Sequence, residues 1–430
     1  LRRSGITLAP MPEATPAPVR PERFEIVDAL RGSALLGLFL LHCVEHFEFG
    51  AYPEGRPEWL LALDHGTRDT AFFLFGGKAY AIFAMMFGLS FFLILDRAAR
   101  RGLDFRGRFV WRLCVLTVIG YVFGVFYCGE ILTMLAILGL PLAFLYRVPT
   151  RWLVALSAVF LMQPVFLWQL GHALLDPAYA PARLDVWSYY KQLGAVFSQE
   201  GLLEVLKVNL WTGVQARWSW SIENGRYLQM FGLFLWGLLL GRGRIFEDRE
   251  RSLRLARRAL AVGLAAFVLV LLLQRSFPGW GLADAPRGIL RRLLGSYGQL
   301  AQMTVWAAGF VLLYHATPCR RALNLLAPYG RTSLTNYVTQ SLVGMTLFYH
   351  FGFGLFRHLG EFPSILFGVG FFALQAAVSR RWLEHFHYGP FEWVWRCLTF
   401  LSFRTPFRKS RRSAEAPTAA VAFKVPEGKR

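Results

Sequence analysis

Three ionisable side chains in an otherwise apolar stretch are the first residues of this chain that could do chemistry. His42, Glu45 and His46 follow a run of leucine, glycine and phenylalanine long enough to form a membrane helix. Residues three and four positions apart share one face of an α-helix, so the three side chains are expected to point the same way. Ionisable groups at membrane depth are costly unless they face a bundle interior, so this face is a candidate catalytic site.

Three interpretations of this face stay open. In the first, the side chains reach the outer headgroups from the helix end, although His42 is deep for such a contact. In the second, residues 42–46 match H-x-x-E-H, the inverted zinc-protease signature, in which the histidines bind Zn²⁺ and the glutamate activates a water. The sequence offers no third ligand, so we predict no metal. In the third, a neutral His42 imidazole is a general base toward a hydroxyl or amine, oriented by Glu45 or a neighbouring helix.

Two cations in apolar runs are candidates for binding a substrate. Arg31 precedes His42 by eleven residues, or about 16 Å along a helix, which places it near the inner membrane interface. Lys78 follows Gly76 and Gly77, where the backbone can be approached closely. A lysine in an apolar helix needs an anionic partner. That partner is either a phosphate of the substrate or a carboxylate on a neighbouring helix.

Polar residues near the start of a later apolar run form a second candidate group. Arg331 lies at the predicted inner interface, and Asn336 and Gln340 share a helix face. Polar side chains in membrane helices often join neighbouring helices by hydrogen bonds. The alternative is that Asn336 and Gln340 form a polar wall of the substrate cavity. Arg226, at the start of another run, is a weaker candidate for the same role.

The composition indicates a chain that uses lipid as its solvent. Hydrophobic residues make up 55% of the sequence and charged residues only 17%, too apolar for a water-soluble globule. The net charge is +20, but its basic residues lie in short clusters between apolar runs, so no nucleic-acid partner is predicted. The five cysteines are scattered without paired spacing, which predicts neither a disulfide framework nor a metal knuckle.

Apolar runs of spanning length predict an all-α fold, a polytopic transmembrane helical bundle of about ten spans. Lipid offers no partner to unpaired backbone groups, and nothing alternates like a barrel strand, so helices are expected. Several runs are close to the minimum of about 17 residues. The runs are 33–50, 71–95, 109–127, 130–146, 151–170, 226–241, 258–274, 293–315, 333–353 and 363–380.

The distribution of lysine and arginine gives this bundle a direction. The set of connections that includes both termini carries 34 of the 47 basic residues, and the opposite set carries 12. Loops rich in lysine and arginine stay in the cytoplasm, so both termini are predicted to be cytoplasmic. The predicted units are a disordered tail (1–22), an N-terminal five-helix half (23–170), an outer segment with interfacial helices (171–225), a C-terminal half ending in an amphipathic helix (226–403) and a basic disordered tail (404–430).

Two stretches resemble a known family of bacterial membrane proteins. The run from Pro328 to Ser341 and the string Gly389-Pro390-Phe391-Glu392-Trp393 resemble the C-terminal domain of YeiB-like proteins, domain of unknown function 418. The region that starts at 224–242 is similar to the beginning of that domain. The N-terminal string 28–34 also fits the family. This resemblance implies a multi-pass protein of the bacterial inner membrane.

The N-terminal string is also similar to transmembrane acyltransferases, namely acyltransferase family 3 and the heparan-alpha-glucosaminide N-acetyltransferase group. They share an Asp-x-x-Arg-Gly opening, and His42 falls on the catalytic histidine of acyltransferase family 3. This resemblance implies that acyl-CoA, a donor substrate and no tightly bound cofactor, docks near Arg31 and Arg331. His42, with Glu45 and His46 beside it, would act on the hydroxyl or amine of an acceptor on the outer side.

Further points about function stay open. The expected acceptor is an envelope sugar, a lipid or a small molecule, and association into a homo-oligomer is a further expectation. The same buried polar groups would also suit a membrane transporter for a small metabolite, although no inverted repeat is evident in the sequence. A third alternative is a scaffold in an envelope complex, in which His42 would tolerate replacement.

Overall fold

The computed structural model describes residues 24–45, 47, 53, 55–176 and 178–409, and within this part of the chain the fold is all-helical. The β-type pairing there is one isolated bridge between Phe386 and Arg408. The first eight helices are α1 (Glu25–Glu45), α2 (Glu58–Phe75), α3 (Ala79–Ala99), α4 (Arg106–Phe126), α5 (Leu132–Gly139), α6 (Leu142–Leu145), α7 (Thr150–Leu161) and α8 (Pro164–Leu175).

The second part of the chain begins with short helices and ends with long ones. A π-helical turn (Asn209–Gly213) joins two of the short helices. The remaining helices are α9 (Val186–Gln199), α10 (Leu202–Val208), α11 (Val214–Glu223), α12 (Arg226–Arg242), α13 (Arg249–Ser276), α14 (Asp284–His315), α15 (Thr317–Asn324), α16 (Leu326–Arg331), α17 (Ser333–Phe348), α18 (Glu361–His385) and α19 (Pro390–Phe400).

Five helical stretches in the described residues are long and apolar enough to cross a membrane. They are α1, the pair α2–α3, α4, α13 with the turn after it, and α18. A sixth is formed if α7 and α8, which meet at a bend of 48°, count as one broken span. The all-helical membrane fold is therefore confirmed, with five to six candidate spans. The remaining predicted runs coincide with helices that do not reach this standard, among them α12 with 17 residues and α17 with 16.

Burial differs sharply between the candidate spans. In α1, 89% of the apolar window is buried inside the protein, whereas in α13 only 17% is buried. Exposed leucine and valine side chains cover the outer face of α13, including Val268, Leu269 and Leu272. In a membrane protein such a surface faces acyl chains rather than water. The helix that carries His42 is thus the central one, and α13 lies at the periphery.

Glycines allow the closest helix crossing around α1. A methyl group on Gly32 would meet the backbone of Leu326, and one on Gly330 would meet the backbone carbonyl of Asp28. The backbones of α1 and α16 therefore touch, which any larger residue would prevent. A similar crossing joins α3 to α12, where Gly88 and Gly237 lie against the opposite backbone.

The outer segment predicted at 171–225 folds into helices α9 to α11 in its second part. Asn209 donates a hydrogen bond of 3.0 Å to the carbonyl of Phe126 at the end of α4. Arg217 donates one of 3.1 Å to the carbonyl of Cys128. Both bonds fix the segment on the connection between α4 and α5, residues 127–131, which we call the α4–α5 loop.

The contact between Gly330 and α1 predicts a cost for the smallest possible side chain. We expect Gly330→Ala to destabilise the protein by about 1–3 kcal/mol, because the added methyl group forces two backbones apart. Gly309→Ala is the matched control, since Gly309 is also helical and has open space around it. It should leave the melting temperature in detergent unchanged or slightly raised. Equal melting temperatures for the two variants would contradict the close crossing.

Candidate functional site

A cavity of about 240 Å³ lies between α1, α3, α4, α5, α17 and α19. Three arginines line it, contributed by three different parts of the chain: Arg31, Arg112 and Arg331. Its other polar lining groups include two serines and the carboxyl group of Glu392. The rest of the wall is apolar or aromatic. A cavity of this kind suits a ligand with an anionic part and an apolar part.

Hydrogen bonds hold Arg31 in place on α1. Its guanidinium group donates to Asp28 Oδ1 at 3.1 Å, one turn earlier on the same helix. It also donates to Ser90 Oγ of α3 at 2.6 Å. Two partners of this kind fix the plane of the guanidinium fork, and a planar fork matches the oxygens of a phosphate or carboxylate.

Of the other two arginines, Arg331 was predicted from the sequence and Arg112 was not. Arg331 is the last residue of α16, and the crossing of α16 with α1 brings it to the same cavity as Arg31. Arg112 was not predicted; its guanidinium carbon lies 3.6 Å from the centroid of the Trp395 ring, a cation–π contact. Burial, together with the nearby charges of Lys409 and Arg331, lowers the pKa of His387 in the same region. Three arginines therefore line the cavity, where Arg31 is paired with Asp28 and the carboxyl group of Glu392 is also in the wall.

Glu392 connects the cavity to the first turn of α17. Its carboxylate accepts hydrogen bonds from the backbone N–H groups of Leu334 at 2.7 Å and Thr335 at 3.1 Å, and from the Thr335 hydroxyl at 2.5 Å. The carboxylate thus caps the N-terminus of α17, where free N–H groups and the helix dipole favour negative charge. Burial nevertheless raises the pKa of Glu392 above its usual value.

The apolar wall of the cavity follows one face of α3. Phe83, Phe87, Phe91 and Ile94 recur at intervals of three and four residues and all line the cavity. On α17 the lining residues are Ser333, Leu334 and Tyr337. The cavity therefore reaches from the arginines along α3 and α17 to the phenol ring of Tyr337.

His42 lies next to this cavity rather than in its wall. The imidazole is buried, and its ring centroid lies 5.4 Å from that of Tyr127 and 6.2 Å from that of Tyr337. The Tyr337 hydroxyl donates to the carbonyl of Gly129 at 2.9 Å and accepts from the N–H of Ile131 at 3.2 Å. Tyr337 therefore lies beside both His42 and the cavity, and its hydroxyl ties α17 to the α4–α5 loop.

The structure describes two of the three predicted catalytic residues, His42 and Glu45. Glu45 lies half-buried at the end of α1 and interacts electrostatically with Tyr127 and Tyr190. His46 lies outside the described residues. Among the residues that are described, no three His, Cys, Asp or Glu side chains lie together as a metal site would require. The structure thus gives His42 aromatic neighbours that the sequence did not predict.

Glu130 is a buried carboxylate that sequence analysis missed. It lies in the α4–α5 loop and is 2% exposed. One oxygen accepts from the N–H of Thr133 at 2.6 Å, and the other has no hydrogen-bond partner in the described part of the chain. It also interacts electrostatically with Tyr337 and Arg217. The available signal was a lone acidic residue in a three-residue connection between two apolar runs.

Asn336 and Gln340 are not among the residues that line the cavity. The amide of Asn336 donates to the carbonyl of Tyr329 at 3.1 Å and to Ser379 Oγ at 3.0 Å. Gln340 Oε1 accepts from the Tyr329 hydroxyl at 3.0 Å. Both side chains therefore connect α17 to α16 and α18. This arrangement matches the alternative in which they join helices, and it differs from the predicted polar wall.

Lys78 and Arg226 lie together at a different place in the bundle. The Lys78 ammonium donates to the carbonyl of Phe72 at 2.9 Å. Arg226 donates to the Tyr80 hydroxyl at 3.1 Å and to Gln229 Oε1 at 3.0 Å. Neither cation is among the residues that line the cavity. The predicted substrate-binding cations thus divide into two groups, with Arg31 and Arg331 in one and Lys78 and Arg226 in the other.

The fold and the cavity define an all-helical membrane protein with an internal site that is cationic and apolar-walled. Residues 240–402 match the family model described as "Protein of unknown function (DUF418)". The predicted resemblance to the YeiB-like DUF418 family is confirmed. No solved structure matches the chain.

Curated relatives align with the chain over nearly their whole length. It is 27% identical to the uncharacterized protein YeiB of Escherichia coli over 416 residues, which cover 91% of this chain and all of that protein. It is 25% identical to the uncharacterized protein YxaH of Bacillus subtilis over 418 residues, covering 91% of this chain and 97% of that protein. An uncharacterized 39.9 kDa protein of Bacillus acidopullulyticus is 26% identical, with coverage of 88% and 94%.

The environment of Glu392 predicts a pH-dependent stability. Its pKa is raised in the folded protein, so the fold binds a proton more tightly than the unfolded chain does. Its contribution to stability is therefore present below the unfolded pKa and lost as pH rises through the raised value. As pH rises from the unfolded pKa of Glu392 to its raised folded pKa, we expect the melting temperature of Glu392→Gln to fall less than that of the wild type. Identical slopes in melting curves recorded from pH 4 upward would contradict this.

Proposed function

We propose that the protein is an integral membrane acyltransferase. It would move an acyl group from cytoplasmic acyl-CoA to a hydroxyl or amine of an acceptor on the outer side, with His42 as general base. One observation supports this above the others. Arg31 and Arg331, 300 residues apart, line one cavity whose wall includes Tyr337, and the Tyr337 ring lies 6.2 Å from that of His42.

The arginine end of the cavity suits the donor. Acyl-CoA carries several phosphates, and guanidinium groups bind phosphate oxygens in pairs of hydrogen bonds. The apolar stripe of α3 would cover the pantetheine arm and the acyl chain. Arg31 and His42 are eleven residues apart on α1, or about 16 Å, a distance that an extended pantetheine arm can cover.

The reaction at the other end needs one proton acceptor. His42 would take the proton of the acceptor hydroxyl or amine. At the same time the oxygen or nitrogen of the acceptor would form a bond to the carbonyl carbon of the thioester. The carbon–sulfur bond then breaks, and its electron pair leaves with the sulfur. The CoA thiolate takes the proton from His42, so the products are the acylated acceptor and free CoA. The proposed acceptors are an envelope sugar, a lipid or a small metabolite.

The proposed topology has ten spans and both termini in the cytoplasm of a bacterium, with the chain in the inner membrane. It rests on the excess of lysine and arginine in one set of connections and on bacterial relatives. In this arrangement the arginine end of the cavity faces the cytoplasm, where acyl-CoA is present. The lipid bilayer and a second copy of the chain are its proposed partners.

The second candidate function is a transporter for a small metabolite, and the interruptions in two helix pairs favour it. The pair α2–α3 is interrupted at Gly76 and Gly77, and α7 breaks from α8 at Gln163, which has a left-handed backbone with φ of 58°. Discontinuous membrane helices frequently surround the substrate of a transporter. Such a protein would move solute without consuming an acyl donor.

Thiol labelling tests the topology. In a background without the native cysteines, Lys207→Cys on α10 and Arg254→Cys on α13 each place a thiol at an exposed position. A membrane-impermeant maleimide added to intact cells should label Lys207→Cys. It should label Arg254→Cys only after the membrane is made permeable. Labelling of both positions from the same side would show that the proposed orientation is wrong.

Mutation of the proposed base tests the chemistry. We expect His42→Ala and His42→Asn to reduce transfer of radiolabel from acyl-CoA into envelope lipid and glycan fractions by about 100-fold or more, because neither side chain can accept the proton. Arg31→Gln and Arg331→Gln should instead raise the KM for acyl-CoA about tenfold or more, because each removes a charged hydrogen bond to phosphate.

The control for these variants is Arg254→Gln, an exposed arginine on α13 outside the cavity. It should leave both kcat and KM unchanged. Insertion of each variant is checked from its amount in purified membranes. If His42→Ala and His42→Asn are inserted and retain full transfer, His42 is not the base. Solute flux into vesicles without an acyl donor would instead favour the transporter.

A further inference from the structure

Three interruptions of helices meet at one level of the bundle. Gly77, between α2 and α3, has a left-handed backbone with φ of 75°, and a methyl group there would meet the amide of Gln299 on α14. Gln163, between α7 and α8, donates a hydrogen bond of 3.1 Å to the carbonyl of Gly225. Gly225, with φ of 63°, precedes the first residue of α12. Each interruption leaves backbone groups outside a regular helix.

Irregular backbone is tolerated at membrane depth only where protein buries it or where it lines a polar site. Here buried amide and hydroxyl groups connect the interruptions. Ser296 on α14 receives hydrogen bonds of 3.2 Å from the side-chain amides of both Gln163 and Gln229. Both glutamines are 1% exposed. The region is therefore an organised polar centre inside an apolar bundle.

Two parallel helices begin at this centre. Tyr80 pairs with Arg226 near the start of α3 and α12, and farther along Gly88 contacts Phe234. The N-termini of both helices therefore lie side by side. Each helix N-terminus carries a partial positive charge, so the two dipoles add to the field at this point.

Lys78 and Arg226 place two full positive charges at these N-termini. Lys78 is 4% exposed, and its ammonium group bonds a backbone carbonyl rather than a carboxylate. Arg226 bonds the Tyr80 hydroxyl and Gln229, and its buried Nε atom has no hydrogen-bond partner in the described part of the chain. The nearby carboxylate of Glu223 is already paired with Arg292 at 2.7 Å.

No described acidic side chain lies within ion-pair distance of either cation. Two like charges at this depth repel one another, and each loses its hydration. Ionisable residues inside a membrane protein commonly mark the path or the binding site of a substrate or ion, so an anion from outside the chain is the candidate partner here. Tyr80 and Gln229 are neutral groups beside the two cations, where the Tyr80 hydroxyl donates to Gln229 Oε1 and the Gln229 amide donates to Ser296.

We propose that Lys78 and Arg226 bind an oxyanion, a carboxylate or phosphate group, at the point where α3 and α12 begin. This site is separate from the arginine-lined cavity. Tyr80 lies one helical turn before Phe83, the first cavity residue of α3. The proposal does not depend on acyl transfer, because it concerns cations that do not line that cavity. The oxyanion comes either from a soluble ligand or from a lipid headgroup.

Thermal unfolding of the full chain in nanodiscs tests the site. Inorganic phosphate is the soluble probe, added to discs of phosphatidylcholine at an ionic strength matched with chloride. Discs that also contain phosphatidylglycerol supply the headgroup. We expect one of the two to raise the melting temperature of the wild type by about 3–5 °C, because a ligand that binds only the folded state stabilises it. The effective probe identifies the source of the anion.

Two variants distinguish a binding site from a structural role. Lys78→Met should abolish the anion-dependent rise and should raise the melting temperature without anion, because it removes a buried cation that has no acidic partner. Arg226→Gln should also abolish the rise. If Lys78→Met instead lowers the melting temperature without anion and keeps the full rise, Lys78 only ties the helix interruption together and the proposal is wrong.

The matched control is Lys207→Gln, which removes an exposed lysine that pairs with Glu204 on the outer segment. It should respond to the anion as the wild type does. Phosphate also stabilises proteins in general by exclusion from their surface. An equal rise in the wild type, the control and both site variants would show only that general effect and would overturn the proposal. So would the absence of any rise with either probe.

Discussion

The backbone contact between α1 and α16 is the constraint on which the arginine-lined cavity depends. Gly32 and Gly330 have no side chains, so the two helices approach until their backbones touch. Each glycine is the chain neighbour of an arginine, Arg31 on α1 and Arg331 on α16. The crossing therefore brings together two cations that are 300 residues apart in sequence, and any thicker residue would separate them. In this bundle, the glycines in the two sequence strings determine geometry and the arginines beside them supply charge.

Compensation of charge separates the two groups of buried cations. Arg31 bonds Asp28 and Ser90, and Arg112 stacks on Trp395. The charge of Arg31 is balanced by a carboxylate, and the guanidinium group of Arg112 rests on an aromatic ring. Both side chains are therefore held in fixed positions. In the second group, the described partners of Lys78 and Arg226 are neutral oxygens and aromatic rings, and no described carboxylate pairs with either cation. Arg31 and Arg112 are therefore rigid parts of a site. Lys78 and Arg226 are buried charges that still lack an acidic partner among the described residues.

The positions of the helices follow from the sequence because a segment that crosses lipid must be both apolar and helical. The predicted apolar runs fall on helical stretches of the described chain, although the runs 71–95, 130–146 and 151–170 each cover parts of two helices. That Arg31 and Arg331 lie near the same site was an implication of the family resemblance, and both line the cavity. Tyr337, Arg112 and Glu130 were missed because their importance comes from tertiary neighbours. Tyr337 looks like an ordinary interfacial tyrosine until α17 packs beside α1. For Asn336 and Gln340 the shared face was predicted and helix joining was one alternative, but the sequence did not identify their partners, Ser379 of α18 and Tyr329 of α16.

The α4–α5 loop is hydrogen-bonded to the tyrosine of α17 that lies beside both the cavity and His42. The cavity wall includes Tyr337, whose hydroxyl is fixed by bonds to Gly129 and Ile131 of that loop. The loop is in turn bonded to Arg217 of the outer segment. The Tyr337 ring therefore lies beside both the cavity and His42, and its hydroxyl is bonded to a loop that Arg217 also holds. This chain of contacts connects the helices of residues 171–225 to the arginine-lined cavity through one phenol ring.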